Sequence, residues 1–141
     1  MKKVLDFDAG DYLDFKMIGI VCAYKDFRVC YEINKALTIY LRKEEDFEIK
    51  TERNRSHNFS LYNYVNEDGE QYLLISNKSG RGTLIKELKH FDYFIVIKNL
   101  SLINSVDQIT DQLKKIVHIT SISKLNPVDY KSSENLLLID I

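Results

Sequence analysis

Apolar residues along this chain fall into blocks whose length and period predict strands and helices. The run MIGIVCAY, residues 17–24, is continuous and rich in Ile, which predicts a buried central strand. A helical period follows from Asp26, a favourable N-cap residue, to Leu41. The apolar positions of this helix lie on one arc: Val29, Cys30, Ile33, Ala36, Leu37 and Tyr40.

The middle of the chain has the pattern of a β-hairpin. Residues 59–65 and 71–77 are strand-like, and the turn between them carries Asp68-Gly69, a dipeptide typical of tight turns. One further short strand is expected within the polar segment 42–57. The loop 79–82 that leaves the hairpin is expected to be flexible.

The C-terminal half continues the alternation. Residues 91–97 predict a strand, and Ser105 to Gln108 have the spacing of a capping box that starts a helix. A strand is expected over 117–123. Asn126-Pro127 then predicts the start of a last helix, because proline is favoured at the first helical position.

These elements predict one α+β domain over residues 1–141. It contains a mostly antiparallel sheet of about five strands with two or three helices packed on it, related to the ferredoxin-like arrangement. Residues 1–15 alternate acids with aromatics, which predicts an acidic edge strand or arm.

Composition and charge narrow the function classes. The 20 basic and 21 acidic side chains give a net charge of -1, so nucleic-acid binding requires a local basic patch. No apolar run is long enough to cross a bilayer, and acidic residues occupy the place of a signal-peptide core. Cys22 and Cys30 have no zinc-ligand spacing and are expected to be reduced, buried thiols. We therefore expect a cytoplasmic protein without membrane contact.

The usual catalytic and metal-binding patterns are missing from the sequence. The N-terminal acids lack the spacing of a calcium loop, and no Gly-x-Ser-x-Gly elbow accompanies the histidines. The glycines of the 79–82 loop follow Lys78 rather than precede it, unlike a phosphate-binding loop. We therefore predict no catalytic set, no metal and no cofactor. The acids concerned are Asp6, Asp8, Asp11 and Asp14, and the histidines are His57, His90 and His118.

Basic residues on three polar segments form a candidate RNA or anion patch. Tyrosines of the hairpin are candidate stacking surfaces for bases, although nearby acids dilute the positive charge. The basic residues are Arg53, Arg55, Lys78, Arg81, Lys86 and Lys89, and the tyrosines are Tyr62, Tyr64 and Tyr72.

The stretch LIKELKHFDYFIVIK, residues 84–98, carries the pattern I-x-E-x-x-x-Φ-D-Y. Its residues are Ile85, Glu87, Phe91, Asp92 and Tyr93. A structural role is favoured, in which Asp92 caps backbone donors and Tyr93 buries its ring while its hydroxyl stays hydrogen-bonded. A catalytic role instead requires Glu87, Asp92 and Tyr93 to converge in one pocket.

This pattern resembles the motif that names the IPExxxVDY family of small Bacteroidota proteins. The segments FKMIGIVCAYKDFRVCYEINKAL, NFSLYNY, YLLISNKS and SSENLLL are similar as well. Lys86 stands where the family has proline, and Phe91 where it has valine. The resemblance implies no particular activity. Family genes often lie beside those for ribonuclease III and fatty-acid synthesis, which implies structured RNA and acyl carrier protein as partners.

The sequence thus favours a non-enzymatic protein–protein interaction domain that binds another protein or forms a homodimer. A structured-RNA-binding or ribosome-associated factor is the alternative, and an enzyme of unknown type is the third hypothesis.

Overall fold

A computed structural model describes residues 13–50, 55–80, 82–101 and 104–141. The predicted acidic arm therefore lies mostly outside the described residues. Within these ranges the strands are β1 (Lys16–Val21), β2 (Arg42–Lys43), β3 (Phe47–Lys50), β4 (Ser56–Phe59), β5 (Leu61–Val65), β6 (Gln71–Ser76), β7 (Lys78–Ser79), β8 (Gly82–Thr83), β9 (Tyr93–Lys98) and β10 (Ser121–Leu125). The helices are α1 (Asp26–Leu37) and α2 (Val106–Leu113), with 3-10 segments at Lys86–Leu88, Pro127–Asp129 and Lys131–Leu138.

Six strands form one antiparallel sheet in the order β10-β1-β9-β6-β5-β2. Its first four strands, β10-β1-β9-β6, have the spatial order of a β-α-β-β-α-β unit, and both α-helices cover the same face. The predicted α+β class with a mostly antiparallel sheet is therefore confirmed. Two further pairs of short strands, β3–β4 and β7–β8, form two-stranded sheets that are separate from the main sheet.

The central strand β9 is buried on both faces of the sheet. Tyr93, Ile95 and Ile97 pack into the core under α1 and α2, whereas Phe94 and Val96 pack into a second core on the opposite face. This second core is closed by residues of the 3-10 segments, including Leu88 and Leu136. Burial on both sides explains why β9 reads as a continuous apolar run. We call the two faces the helix face and the 3-10 face.

Helix α1 differs from its prediction at both ends. Asp26 is the first helical residue rather than the N-cap, and its carboxylate accepts a hydrogen bond of 3.0 Å from the Tyr62 hydroxyl. The helix ends at Leu37 because Thr38 adopts a left-handed conformation with φ of 55°. The predicted end at Leu41 is therefore wrong, and Tyr40 is exposed rather than buried.

The hairpin prediction is confirmed, because β5 and β6 pair through the Asp68-Gly69 turn and Gly69 has a φ of +84°. The predicted strand over 117–123 is displaced and begins at Ser121. Asn126-Pro127 does start a helical segment, as predicted, but the segment is 3-10 rather than α. This segment, Pro127–Asp129, is followed by the separate 3-10 segment Lys131–Leu138, whose buried residues Ser133 and Leu136 are three apart, which matches the 3-10 period.

Gly19 in β1 lies against the ring of Phe91. A Cβ atom at this position would stand 2.7 Å from that ring and 2.9 Å from the Leu125 side chain. We expect Gly19→Ala to lower the free energy of unfolding by about 1–3 kcal/mol, because the core has no space for the added methyl group. Urea denaturation measures this change.

The second variant for this contact is Phe91→Leu. Its combination with Gly19→Ala should cost less than the sum of the single changes, because the smaller side chain relieves the clash. Strict additivity, or a Gly19→Ala protein as stable as the original, contradicts this packing.

Candidate functional site

The motif segment joins the 3-10 face to β9 and is held by the side chain of Asn77. Asn77 is fully buried, and its Nδ2 donates 2.9 Å hydrogen bonds to the carbonyls of Leu88 and Phe91. Its Oδ1 accepts a 2.9 Å hydrogen bond from the N–H of Ile85. Its backbone also bonds Leu84 and Asp92. Asn77 thus connects the end of β6 to the whole length of the motif.

Asp92 links β9 to the loop that follows β1. Its Oδ2 accepts a 2.8 Å hydrogen bond from the backbone N–H of Cys22, and its Oδ1 lies 2.9 Å from Nζ of Lys78. The contact with Cys22 has the geometry of a carboxylate that caps a backbone donor, the structural role predicted for Asp92. The Lys78 pair is half-exposed, so its contribution to stability is small.

Tyr93 points to the helix face. Its ring is buried, and its hydroxyl donates a 2.5 Å hydrogen bond to the carbonyl of Tyr24. Burial, reinforced by the negative charge of Asp26, raises the pKa of the Tyr93 hydroxyl. The hydroxyl therefore stays protonated at neutral pH and serves as a donor.

Glu87 lies on the other side of the sheet, in the 3-10 segment Lys86–Leu88. Its Oε2 accepts a 3.3 Å hydrogen bond from the N–H of Ser132 in the C-terminal 3-10 segment. Partial burial raises the pKa of the Glu87 carboxyl, but hydrogen bonds from Ser132 outweigh this effect and lower it. Glu87 and Tyr93 therefore face different layers, and the convergence that a catalytic role required is absent from the described structure.

The structure describes four residues of the predicted RNA patch, and β4, which follows Arg55, contacts β7, which contains Lys78. Arg53 and Arg81 lie outside the described residues, and Lys78 is paired with Asp92. Arg55, Lys86 and Lys89 are exposed.

The expected stacking surface is also lost from the hairpin. Tyr62 and Tyr72 are buried in the core under the helices, so the expectation that they stack on bases is wrong. Both side chains lie on the face of the hairpin that α1 and α2 cover, so they pack against the helices instead of facing solvent. Tyr64 is half-buried and keeps part of its ring accessible.

Metal and thiol chemistry find no assembled site either. Of the N-terminal acids only Asp14 lies within the described residues, and no group of three or more potential metal ligands occurs there. Both cysteines are free and buried, and burial raises the pKa of the Cys22 and Cys30 thiols. Buried thiols with raised pKa are poor nucleophiles.

The helix face carries a feature that the sequence analysis missed. Phe27 and Tyr31 on α1 are 65% and 59% exposed, and Val117 just after α2 is 86% exposed. Phe27 and Tyr31 are neighbours at i,i+4 on the outer side of the helix. The i,i+4 spacing of Phe27 and Tyr31, outside the buried arc of α1, is the sequence signal for this feature.

A groove of about 490 Å³ lies between the two helices. Its floor includes Ala36 and Ile116, and Val117 stands at one end. Lys35 and Lys115 line its sides, and Arg28 is paired with Glu32 at 3.3 Å. We call Phe27, Tyr31, Val117 and this groove the helix-side surface.

Comparison with protein-family models, curated proteins and solved structures gave no significant match. The resemblance to the IPExxxVDY family therefore stays a prediction. Among the described residues, no helix has both the length and the apolarity needed to cross a bilayer.

If the hydrogen bonds of Asp92 and Tyr93 stabilise the fold, removing them lowers the free energy of unfolding. Asp92→Ala and Tyr93→Phe should each lower the free energy of unfolding by about 1–2 kcal/mol, because each removes one buried hydrogen bond. Chemical denaturation measures both changes. Lys78→Ala is the matched control and should cost less than about 1 kcal/mol, because it removes only the exposed pair. Unchanged stability of both test variants contradicts the structural role.

Proposed function

We propose that this protein is a non-enzymatic cytoplasmic interaction domain that binds an acidic, partly apolar segment of another protein at its helix-side surface. The observation that carries this proposal is the exposure of Phe27, Tyr31 and Val117 on the layer that also contains the interhelical groove. An interhelical groove with an exposed apolar side chain such as Val117 among its lining residues is typical of protein-binding surfaces, and Phe27 and Tyr31 add apolar surface on the outer side of α1.

The charge around the groove favours an acidic partner. Arg28 and Glu32 neutralise each other, whereas Lys35 and Lys115 have no ion pair with any residue that the structure describes. Two uncompensated lysines beside an apolar floor suit a segment that presents carboxylates around apolar side chains. Acyl carrier protein, the acidic partner that the family resemblance implies, is the first purified probe.

The contacts of the motif support a structural role for it rather than a catalytic one. Glu87, Asp92 and Tyr93 each form a hydrogen bond to a different segment of the chain. The RNA alternative has lost its stacking tyrosines Tyr62 and Tyr72 to the core. An apolar, weakly basic surface therefore fits a protein better than a nucleic acid.

The test compares affinity purification from the native organism with three baits: the original protein, the double variant Phe27→Ser/Val117→Ser, and the control Leu138→Ser. Leu138 and Phe27 are both 65% exposed, but Leu138 lies in the C-terminal 3-10 segment. We expect one protein to co-elute with the original and the control and to be at least tenfold depleted with the double variant. Thermal melting checks that all three baits are folded.

Co-elution of the same proteins with all three baits contradicts the proposed surface. Recovery of RNA that is released by moderate salt, with no enriched protein, contradicts the proposed class and supports the RNA alternative. A dimer in light scattering that dissociates in the double variant identifies a second copy of the chain as the partner.

A further inference from the structure

A second cavity, of about 500 Å³, lies between the turn of the β5–β6 hairpin and the ends of the two helices. Tyr64 and Tyr72 line one side, and Gln108 and Gln112 of α2 line the other. Glu70 is the one charged residue among the described residues that line it. We call this space the hairpin cavity.

Glu70 is a buried carboxylate that has no basic partner among the described residues. It is 2% exposed and forms no ion pair with any residue in the described ranges. Its oxygens accept hydrogen bonds from Asn66 Nδ2 at 2.8 Å, from the N–H of Ser101 at 2.6 Å, and from Asn104 Nδ2 at 3.1 and 3.0 Å. Burial raises the pKa of the Glu70 carboxyl, but these hydrogen bonds lower it more, so the group stays ionised at neutral pH.

The four hydrogen bonds are all donated by neutral groups, so they satisfy the lone pairs of Glu70, and no described residue compensates its negative charge with an ion pair. A buried charge with no counter-charge is costly for a fold, and it creates a negative potential in the adjacent space. The Glu70 charge reaches the cavity wall, because it contributes, after burial, to raising the pKa of Tyr72.

The tyrosine rings add to this potential. The centroids of Tyr64 and Tyr72 are 6.1 Å apart, and the faces of aromatic rings attract cations. Carboxylate and rings therefore favour the same kind of ligand. Because the acceptor sites of Glu70 are already occupied, a cation that needs hydrogen bonds from this carboxylate gains little from it. An alkylated ammonium carries positive charge without that need.

We propose that the hairpin cavity is a binding site for a small alkylated ammonium ion of the choline type. The half-buried ring of Tyr64 contacts its methyl groups, Tyr72 lines the site beside it, and Glu70 supplies the negative potential. The hairpin cavity lies next to the groove of the helix-side surface, because Ala36 and Gln112 line both.

The test titrates the full-length protein with three probes: choline, its neutral isostere 3,3-dimethyl-1-butanol, and ethanolamine. Binding is followed by NMR chemical shifts. We expect choline to bind with shifts at Tyr64 and Tyr72, and each of the other two probes to bind about tenfold more weakly. Equal binding of choline and its neutral isostere means an apolar cavity only, and it overturns the proposal. Tighter binding of ethanolamine, or no binding of choline at 100 mM, overturns it as well.

Two sets of variants test the two sources of attraction. Tyr64→Leu should weaken choline about fivefold, because it removes one ring. Gln108 is exposed at the rim, and its side chain makes no hydrogen bond to Glu70. Gln108→Lys should weaken choline about threefold and Gln108→Glu should strengthen it about threefold, because the two variants add charges of opposite sign at the same position. Equal affinities of the two Gln108 variants contradict the electrostatic basis of the site. Glu70 is left unchanged because its carboxylate also holds the turn.

Discussion

The buried side chain of Asn77 holds the segment through which the chain passes from one face of the sheet to the central strand. Its amide nitrogen donates to the carbonyls of Leu88 and Phe91, and its oxygen accepts from Ile85. These are backbone groups of a segment with a single short 3-10 turn of its own, so a side chain has to supply part of their bonding. The loss of a buried partner costs about 1–3 kcal/mol for each group left unsatisfied. The position at which β9 enters the sheet therefore depends on this one amide.

A strand buried on both faces places a strict demand on the residues that precede it. The junction places Phe91 on the 3-10 face and Tyr93 on the helix face. Asp92 lies between these two residues in the sequence. The polar side chains of the motif, Glu87, Asp92 and Tyr93, form hydrogen bonds within the fold. These contacts favour a structural role for the motif. Exposed apolar surface and uncompensated charge occur elsewhere, on the outer side of α1 and at Glu70. The two proposals are placed there for that reason.

The sequence pattern predicted correctly the elements that are determined by residues close together in the chain. The Ser105 cap, the Asp68-Gly69 turn and the apolar run of β1 all depend on residues close in sequence, and all three elements form. The end of α1 is not predicted, because residues other than glycine seldom adopt the left-handed conformation of Thr38. The last segment is predicted as an α-helix because its signal, the Asn126-Pro127 start, does not distinguish an α-helix from a 3-10 helix. The sequence pattern places Asn77 at the end of the predicted hairpin strand 71–77 and indicates no further role for it. Its role depends on partners 8 to 14 residues away, whose position only the folded chain defines.

Amide hydrogen exchange at Ile85 tests the central claim most directly, because its N–H is bonded to Oδ1 of Asn77 inside the protein. If the junction is part of the cooperative core, this amide opens only with global unfolding, and its exchange free energy equals that of the most protected amides of β9. An exchange free energy that is lower than that of the β9 amides by about 2 kcal/mol or more would instead mean that the motif segment opens on its own. That result would contradict the account, because a segment that opens locally cannot set the position of the central strand.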